Sequence, residues 1–223
     1  SNANITVGDN TKPTFTVPAN VIIYKDANCN YNASTAITGD VLNEADNCDI
    51  SLNATYVDGT APGPCVGETI LTRTWTLTDD CGNSTVKVQT ITIKDNTPPT
   101  FTDPDDITIY KDNNCNHDAS VGVTGDVTDE ADNCDAAPVV TLLTDIPAAP
   151  VCHGGPITVS RAYRITDCSG NSTTVTQTIN VADITAPTAS NPATINVECY
   201  GSIPAANISV VTDEADNCDA TPV

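Results

Sequence analysis

A chain of 223 residues with 29 acidic against 8 basic side chains carries a formal charge of −21. That excess repels nucleic acid and anionic membranes and makes cations the natural partners. No apolar run is long enough to span a bilayer, and the aromatic residues (Trp 1, Phe 2, Tyr 6) are too few to form a core, which falls to Val, Ile, Leu and Ala.

Taken in order, Ser1-Asn2-Ala3 reads as a tag scar and residues 4–10 as the end of a preceding module with its linker, because Asn4-Ile5-Thr6-Val7 parallels Thr90-Ile91-Thr92-Ile93. Module one spans residues 11–96. Its short apolar-polar runs, broken by Gly, Pro, Asn and Asp, contain no helical period. Val21 and Ile23 open a strand, Cys29 follows in a turn, and Ala36 to Val41 reads as the next strand. An acidic loop covers Asn43 to Asp49, and a third strand is expected over Ile50 to Tyr56. The clearest local signal is the final hairpin. Leu71, Arg73, Trp75 and Leu77 alternate with Thr72, Thr74, Thr76 and Thr78, as a strand with one buried face requires. Asp79 to Asn83 turns the chain, and Gln89, Ile91 and Ile93 line the return strand.

The same landmarks then recur. Glu-Ala-Asp-Asn-Cys-Asp stands at 44–49, 130–135 and 214–219, a step of 86 and then 84 residues, which is one domain-sized repeat rather than a helical solenoid unit. Module two covers 97–184, with Val159, Arg161, Tyr163 and Ile165 in the hairpin. A partial module three covers 185–223. Short antiparallel strands at this spacing predict an all-β chain of tandem immunoglobulin-like β-sandwich modules, arranged end to end. Arg73 and Arg161, at matching places on an apolar face, read as edge residues whose stems pack while their heads reach water or a carboxylate.

Ten cysteines give four per complete module. None form Cys-x-x-Cys pairs, so disulfides and an oxidising, extracellular location are expected rather than zinc. In the sandwich topology the loop after the second strand and the final turn meet at the leading pole, where the chain comes in. The two other turns meet at the trailing pole. That predicts Cys29–Cys65, Cys48–Cys81, Cys115–Cys152 and Cys134–Cys168, each within one module, with the partners of Cys199 and Cys218 open.

At each leading pole the topology also gathers oxygen donors from the linker, the acidic loop and the final turn. These are Asp9, Glu44, Asp46 and Asp79 for module one, Asp95, Asn96, Asp129, Glu130, Asp132 and Asp167 for module two, and Asp183, Asp213, Glu214 and Asp216 for module three. Hard oxygens from several segments suit calcium, Ca2+, although no loop has the EF-hand pattern. Such an ion would neutralise the cluster and set the angle between neighbouring modules.

The run Arg73-Thr-Trp-Thr-Leu-Thr-Asp-Asp-Cys-Gly-Asn83, followed by Gln89-Thr-Ile-Thr-Ile and Asp95-Asn-Thr-Pro-Pro, resembles the hyalin-repeat (HYR-like) modules of bacterial surface proteins, over nearly the whole chain. Such modules form long arrays in giant adhesins, including those of gliding motility. The resemblance implies a structural or adhesive stalk at the cell surface whose partners are neighbouring modules and a surface polysaccharide or protein. The Asp95-Asn-Thr-Pro98 linker looks like that of cadherins, which place calcium there. An alternative is a carbohydrate-binding accessory array of a secreted polysaccharide-degrading enzyme, for which Tyr31 and Tyr200 are the available aromatics. No enzymatic activity is expected, since His117 and His153 have no counterparts in the other copies and no Ser-His-Asp or Cys-His set assembles within a module.

Overall fold

The structure, a computed structural model, describes residues 8–147, 155–205, 207, 209, 211, 213–220 and 222. The chain clusters into two compact units whose borders depart from the sequence repeat. The first holds the described residues up to Thr100 together with Glu130–Val139 and Ile165–Thr173. The second holds Phe101–Asp129 and the described parts of Val140–Arg164 and Thr174–Val223. The acidic motif and final turn of the second repeat thus belong with the first repeat.

The first repeat runs β1 (Thr14–Thr16), β2 (Val21–Tyr24), α1 (Thr35–Thr38), β3 (Leu42–Ala45), β4 (Thr55–Pro62), β5 (Thr69–Thr78) and β6 (Ser84–Lys94). Four strands form one sheet in the order β2-β6-β5-β4, and β1 pairs with β3 in the other. The second repeat has β7 (Thr100–Thr102), β8 (Ile107–Tyr110), α2 (Val121–Thr124), β9 (Thr128–Ala131), β10 (Val139–Leu142), β11 (Ile146–Pro147), β12 (Ile157–Thr166) and β13 (Ser172–Ala182). Its sheets are β10-β12-β13-β8, with β11 on β12, and β7-β9. The all-β sandwich expected from the sequence is present. In the third repeat the described residues include an isolated bridge, Thr188 to Ala215, at the place where Thr14 meets Ala45 in the first.

The predicted alternation of the hairpin holds. Leu71, Trp75 and Leu77 of β5 and Ile91 and Ile93 of β6 are buried, as are Val159, Tyr163, Ile165, Ile179 and Val181 of β12 and β13. Ile23, Leu71, Ile91 and Ile93 form one cluster, and Phe15, Trp75 and Leu77 another. Burial at about 25 cal/mol per Å² of apolar surface makes these strands the main stabilising element.

Four local expectations are corrected. The expected strand over Ala36 to Val41 is instead the single helical turn α1, ended by Gly39 at φ 90°, a left-handed backbone that favours glycine. Thr38 turns inward there, its carbonyl accepting from Gln89 Nε2 at 2.7 Å, so a polar contact overrides the alternating pattern. The acidic loop is shorter than expected, because Leu42–Ala45 is strand β3. The expected strand over Ile50 to Tyr56 begins at Thr55 and continues to Pro62, leaving Ile50 98% exposed. Finally, not every pairing is antiparallel: β2 runs parallel to β6 and β8 parallel to β13.

The two arginines also depart from expectation. β5 and β12 are inner strands, so Arg73 and Arg161 are only 1% and 3% exposed rather than snorkelling at an edge. Each does reach a carboxylate. Arg73 Nε and Nη2 donate to the two Asp58 oxygens, both at 2.8 Å, while Nη1 donates to Thr38 Oγ1 at 2.8 Å and Nη2 to the Ala33 carbonyl at 2.6 Å. Its guanidinium lies 4.1 Å from the Tyr56 ring centre. Arg161 repeats the arrangement with Asp145, Thr124 and Ala119. One planar fork thus ties two strands to a helical turn and a loop.

The side-chain hydrogen bond from Arg161, opposed by partial burial, holds the Asp145 carboxyl below its ordinary value of 3.8. In the unfolded chain Asp145 protonates first as pH falls, so this contribution is fully present above that value and is lost as pH drops towards the depressed one. The Asp145→Asn variant should therefore be less stable at neutral pH and lose less on acidification than the native chain. Thermal scans between pH 7 and pH 2 check this; parallel pH profiles for the two chains would count against it.

Candidate cation site and the cysteine junction

The turn after β5 is built by Asp79. Its Oδ1 accepts from the Cys81 and Asn83 amides at 2.9 and 2.7 Å, and its Oδ2 from Asn83 Nδ2 at 2.7 Å. Asn83 Nδ2 also reaches the Asp9 carbonyl at 3.2 Å, tying the linker to the turn. Asp167 and Asn171 repeat these contacts, with Asn171 Nδ2 on the Asp95 carbonyl at 3.3 Å. The acidic motif is shaped the same way. Asp132 Oδ1 accepts from the Cys134 and Asp135 amides at 2.9 and 2.8 Å, as Asp46 Oδ1 does from Cys48 and Asp49. The last aspartate of the motif then grips the final turn: Asp80 N donates to Asp49 Oδ2 and Cys168 N to Asp135 Oδ2.

The linker, acidic motif and turn converge as expected. Asp9, Asp46 and Asp79 form one group, and Asp95, Asp132 and Asp167 another, each with ligand oxygens within 4.8 Å of one another. Asp79, Asp95 and Asp167 are buried at 6%, 5% and 4% exposure. The outer oxygens, Asp46 Oδ2 and Asp132 Oδ2, are buried and have no hydrogen-bond partner. The Asp9 carboxyl is held below its ordinary range, chiefly by the Thr11 backbone N–H.

The remaining candidates lie outside these groups. Glu44 accepts from the Ala54 amide at 2.6 Å, and Asp129, with φ 57°, accepts from Thr102 Oγ1. Asn96 and Glu130 are exposed. In the third repeat Asp183 receives Thr185 N and Asp216 receives the Cys218 and Asp219 amides. Asp213 is engaged by the Ser190 hydroxyl and amide, which lower its carboxyl, and Glu214 is exposed. The alternation of carboxylates explains the selection: Glu44 and Glu130 sit on strands, whereas Asp46 and Asp132 cap the turn.

The predicted disulfides are corrected. Cys29 bonds Cys134 and Cys65 bonds Cys168, with Cα–Cα distances of 5.2 and 5.6 Å, and Cys115 bonds Cys218 at 5.0 Å. The predicted Cys29–Cys65, Cys134–Cys168 and Cys115–Cys152 pairs are therefore absent, since each takes a cysteine already bonded elsewhere; Cys152 itself lies outside the described residues. Cys48 and Cys81 are unbonded and exposed, as is Cys199. The observed bonds join consecutive repeats, trailing turn to leading pole.

Local chemistry prepares these cysteines. Asp26 Oδ1 accepts from the Asn28 and Asn30 amides, both at 2.9 Å, in a turn that places Cys29 at φ 61°. The same turn recurs from Asp112, whose carboxyl the Asn116 and Asn114 amides hold low, with Cys115 at φ 63°. Beside the first bond, Asn133 Nδ2 donates to the Asp26 carbonyl at 3.0 Å, and Asn217 Nδ2 does so to Asp112. Gly67, at φ 86°, approaches so closely that a Cβ there would stand 3.0 Å from Cys134 Cβ. Asn83, Asn133, Asp49 and their counterparts were missed as functional residues; the available signal was the recurrence of Asn133 and Asp49 in all three copies of the motif and of Asn83 in both final turns.

Of the aromatics considered for sugar binding, Tyr31 is 41% and Tyr200 91% exposed. His153 lies outside the described residues. Among the described residues no helix is long and apolar enough to cross a membrane.

No protein-family description matches the chain, and no curated protein does. Among solved structures it is similar to Drosophila N-cadherin EC1-4, at 17% identity and a TM-score of 0.36, covering 80% of this chain and 51% of that one. It is also similar to human CDH23 EC21-23, at 11% identity and a TM-score of 0.36, covering 82% and 74%. Human mucin-like protocadherin EC1-2 gives 11% identity and a TM-score of 0.33, covering 78% and 99%. The chain spans about half the length of the first of these.

Proposed function

We propose that the chain is a stretch of an extracellular adhesive stalk, a tandem HYR-like array of a bacterial surface adhesin whose repeats are stiffened by calcium at their junctions. Its work is mechanical presentation rather than catalysis. The observation that carries the reading is the group Asp95, Asp132 and Asp167, which brings a linker, a motif and a turn together around an unpartnered buried oxygen. At 4.8 Å each pair of carboxylates repels by about 3.5 kcal/mol at an effective dielectric near 20, a cost that a divalent cation would offset. The donors are all hard oxygens, which fits calcium and excludes a thiolate-seeking metal. Three carboxylates leave room for water or carbonyl oxygens to complete six to eight ligands. Asp9, Asp46 and Asp79 would hold a second ion in the same way.

The test is thermal unfolding with calcium, with magnesium and with excess EGTA, for the native chain and for Asp132→Ala. Calcium at a hundred times its Kd stabilises by about 2.7 kcal/mol, which for a domain of this size raises Tm by several degrees. The expected result is a calcium-dependent rise, smaller in the variant. Identical melting in all three solutions would leave the carboxylates as surface charge and remove the support for calcium stiffening.

A further inference from the structure

The leading pole of the second repeat presents Cys134 and Cys168, and both are bonded to the repeat before it. The leading pole of the first repeat is built on the same hydrogen-bonded frame, with the cysteine of its final turn moved one residue along. Asp46 and Asp79 shape it as Asp132 and Asp167 shape the second, and Asp49 grips the Asp80 amide as Asp135 grips Cys168. Cys48 stands where Cys134 stands, and Cys81 lies in the same final turn as the counterpart of Cys168 but one residue further along, at the place of Ser169; both line one cleft with Asp9 and Asp79 and are unbonded. The recurring asparagine gives an independent sign. Asn133 and Asn217 are partly buried and donate to a carbonyl of the preceding repeat at 3.0 Å. Asn47 is exposed and keeps the contact to the linker carboxylate, 3.5 Å to Asp9 as Asn133 makes 3.4 Å to Asp95, without a carbonyl of a preceding repeat. One pole thus carries two unbonded thiols and an amide donor whose equivalents all engage a neighbouring repeat.

We infer that the pole bearing Asn47, Cys48 and Cys81 is a docking surface for a further copy of the repeat, which bonds Cys48 through its counterpart of Cys29 and Cys81 through its counterpart of Cys65. Asn47 then donates to the carbonyl of that copy's turn aspartate. Every complete junction in the array is doubly stapled, so pulling force passes from repeat to repeat through covalent bonds. Each bond forms from two thiols. Two electrons and two protons pass to an external low-molecular-weight disulfide, which leaves as two thiols. The inference stands on cysteine connectivity and not on the cation reading.

The test lengthens the full chain by a copy of residues 97–182 placed directly before Asp9, the register in which Asp183 follows Ala182. The protein is folded in a glutathione redox buffer containing EGTA, alkylated, and mapped by non-reducing peptide mass spectrometry. The expected linkages join the added copy's Cys115 to Cys48 and its Cys152 to Cys81. Recovery of Cys48 and Cys81 as alkylated thiols, or linked to each other, overturns the inference. In the lengthened chain carrying Cys48→Ser and Cys81→Ser, the added copy should expose two more alkylatable thiols with an unchanged far-UV spectrum. An unchanged thiol count there overturns it too. Because calcium is absent throughout, a failure of cation binding is read separately, in the melting experiment.

Discussion

Replacing Asp58 with asparagine should lower the stability of the first repeat by about 3 kcal/mol, the low end for breaking a buried ion pair, because Asp58 keeps 30% side-chain exposure while Arg73 keeps 2%. The loss comes from leaving a buried guanidinium without its counter-charge, not from the missing attraction alone. Trp75, the single tryptophan, lies on the same strand two residues away and is 1% exposed, so its fluorescence reports on this sandwich. With a urea m-value of about 2 kcal/mol per molar, the midpoint should fall by about 1.5 M. Thr72→Ala, on the exposed side of the same strand, should shift it far less. Equal shifts for the two variants would mean that the Arg73 fork contributes nothing beyond strand propensity.

The second large effect concerns the cysteines. Peptide mapping of the oxidised chain should find Cys29 with Cys134, Cys65 with Cys168 and Cys115 with Cys218. These bonds span 105, 103 and 103 residues, and closing a loop of that length is worth about 4.7 kcal/mol in the chain-entropy model for the first bond of an overlapping pair. The double variant Cys134→Ser, Cys168→Ser should keep its strand spectrum, because the ladders of each sheet need neither bond. It should nonetheless melt earlier, and the segment Glu130–Val139 should become cleavable by protease. A peptide linking Cys29 to Cys65 would contradict the observed connectivity directly.

Much of this architecture was legible in the residues. The alternation along β5 and β6 specified a strand with one buried face, and burial follows it residue by residue. The convergence of Asp95, Asp132 and Asp167 was also foreseeable, since a repeat that returns the chain to one pole brings linker, motif and turn together. The helical turn at Thr35–Thr38 was not. Its sequence is short and β-branched, and its conformation is decided by what Thr38 meets inside, namely Arg73 and Gln89. Glu44 and Glu130 illustrate the same limit. Their proximity to the aspartates in sequence suggested shared chemistry, but β3 and β9 place them on strands outside the two carboxylate groups.

By itself the sequence determined the repeat, its all-β character, its acidic pole and its commitment to disulfides, because these follow from local periodicity, charge and residue type. Which cysteine meets which was decided only in three dimensions. Copies of a repeat present the same cysteines at the same positions, so pairing within a repeat and pairing with the next one look alike along the chain. The choice depends on which turn comes to lie against which pole, over a separation greater than one full repeat.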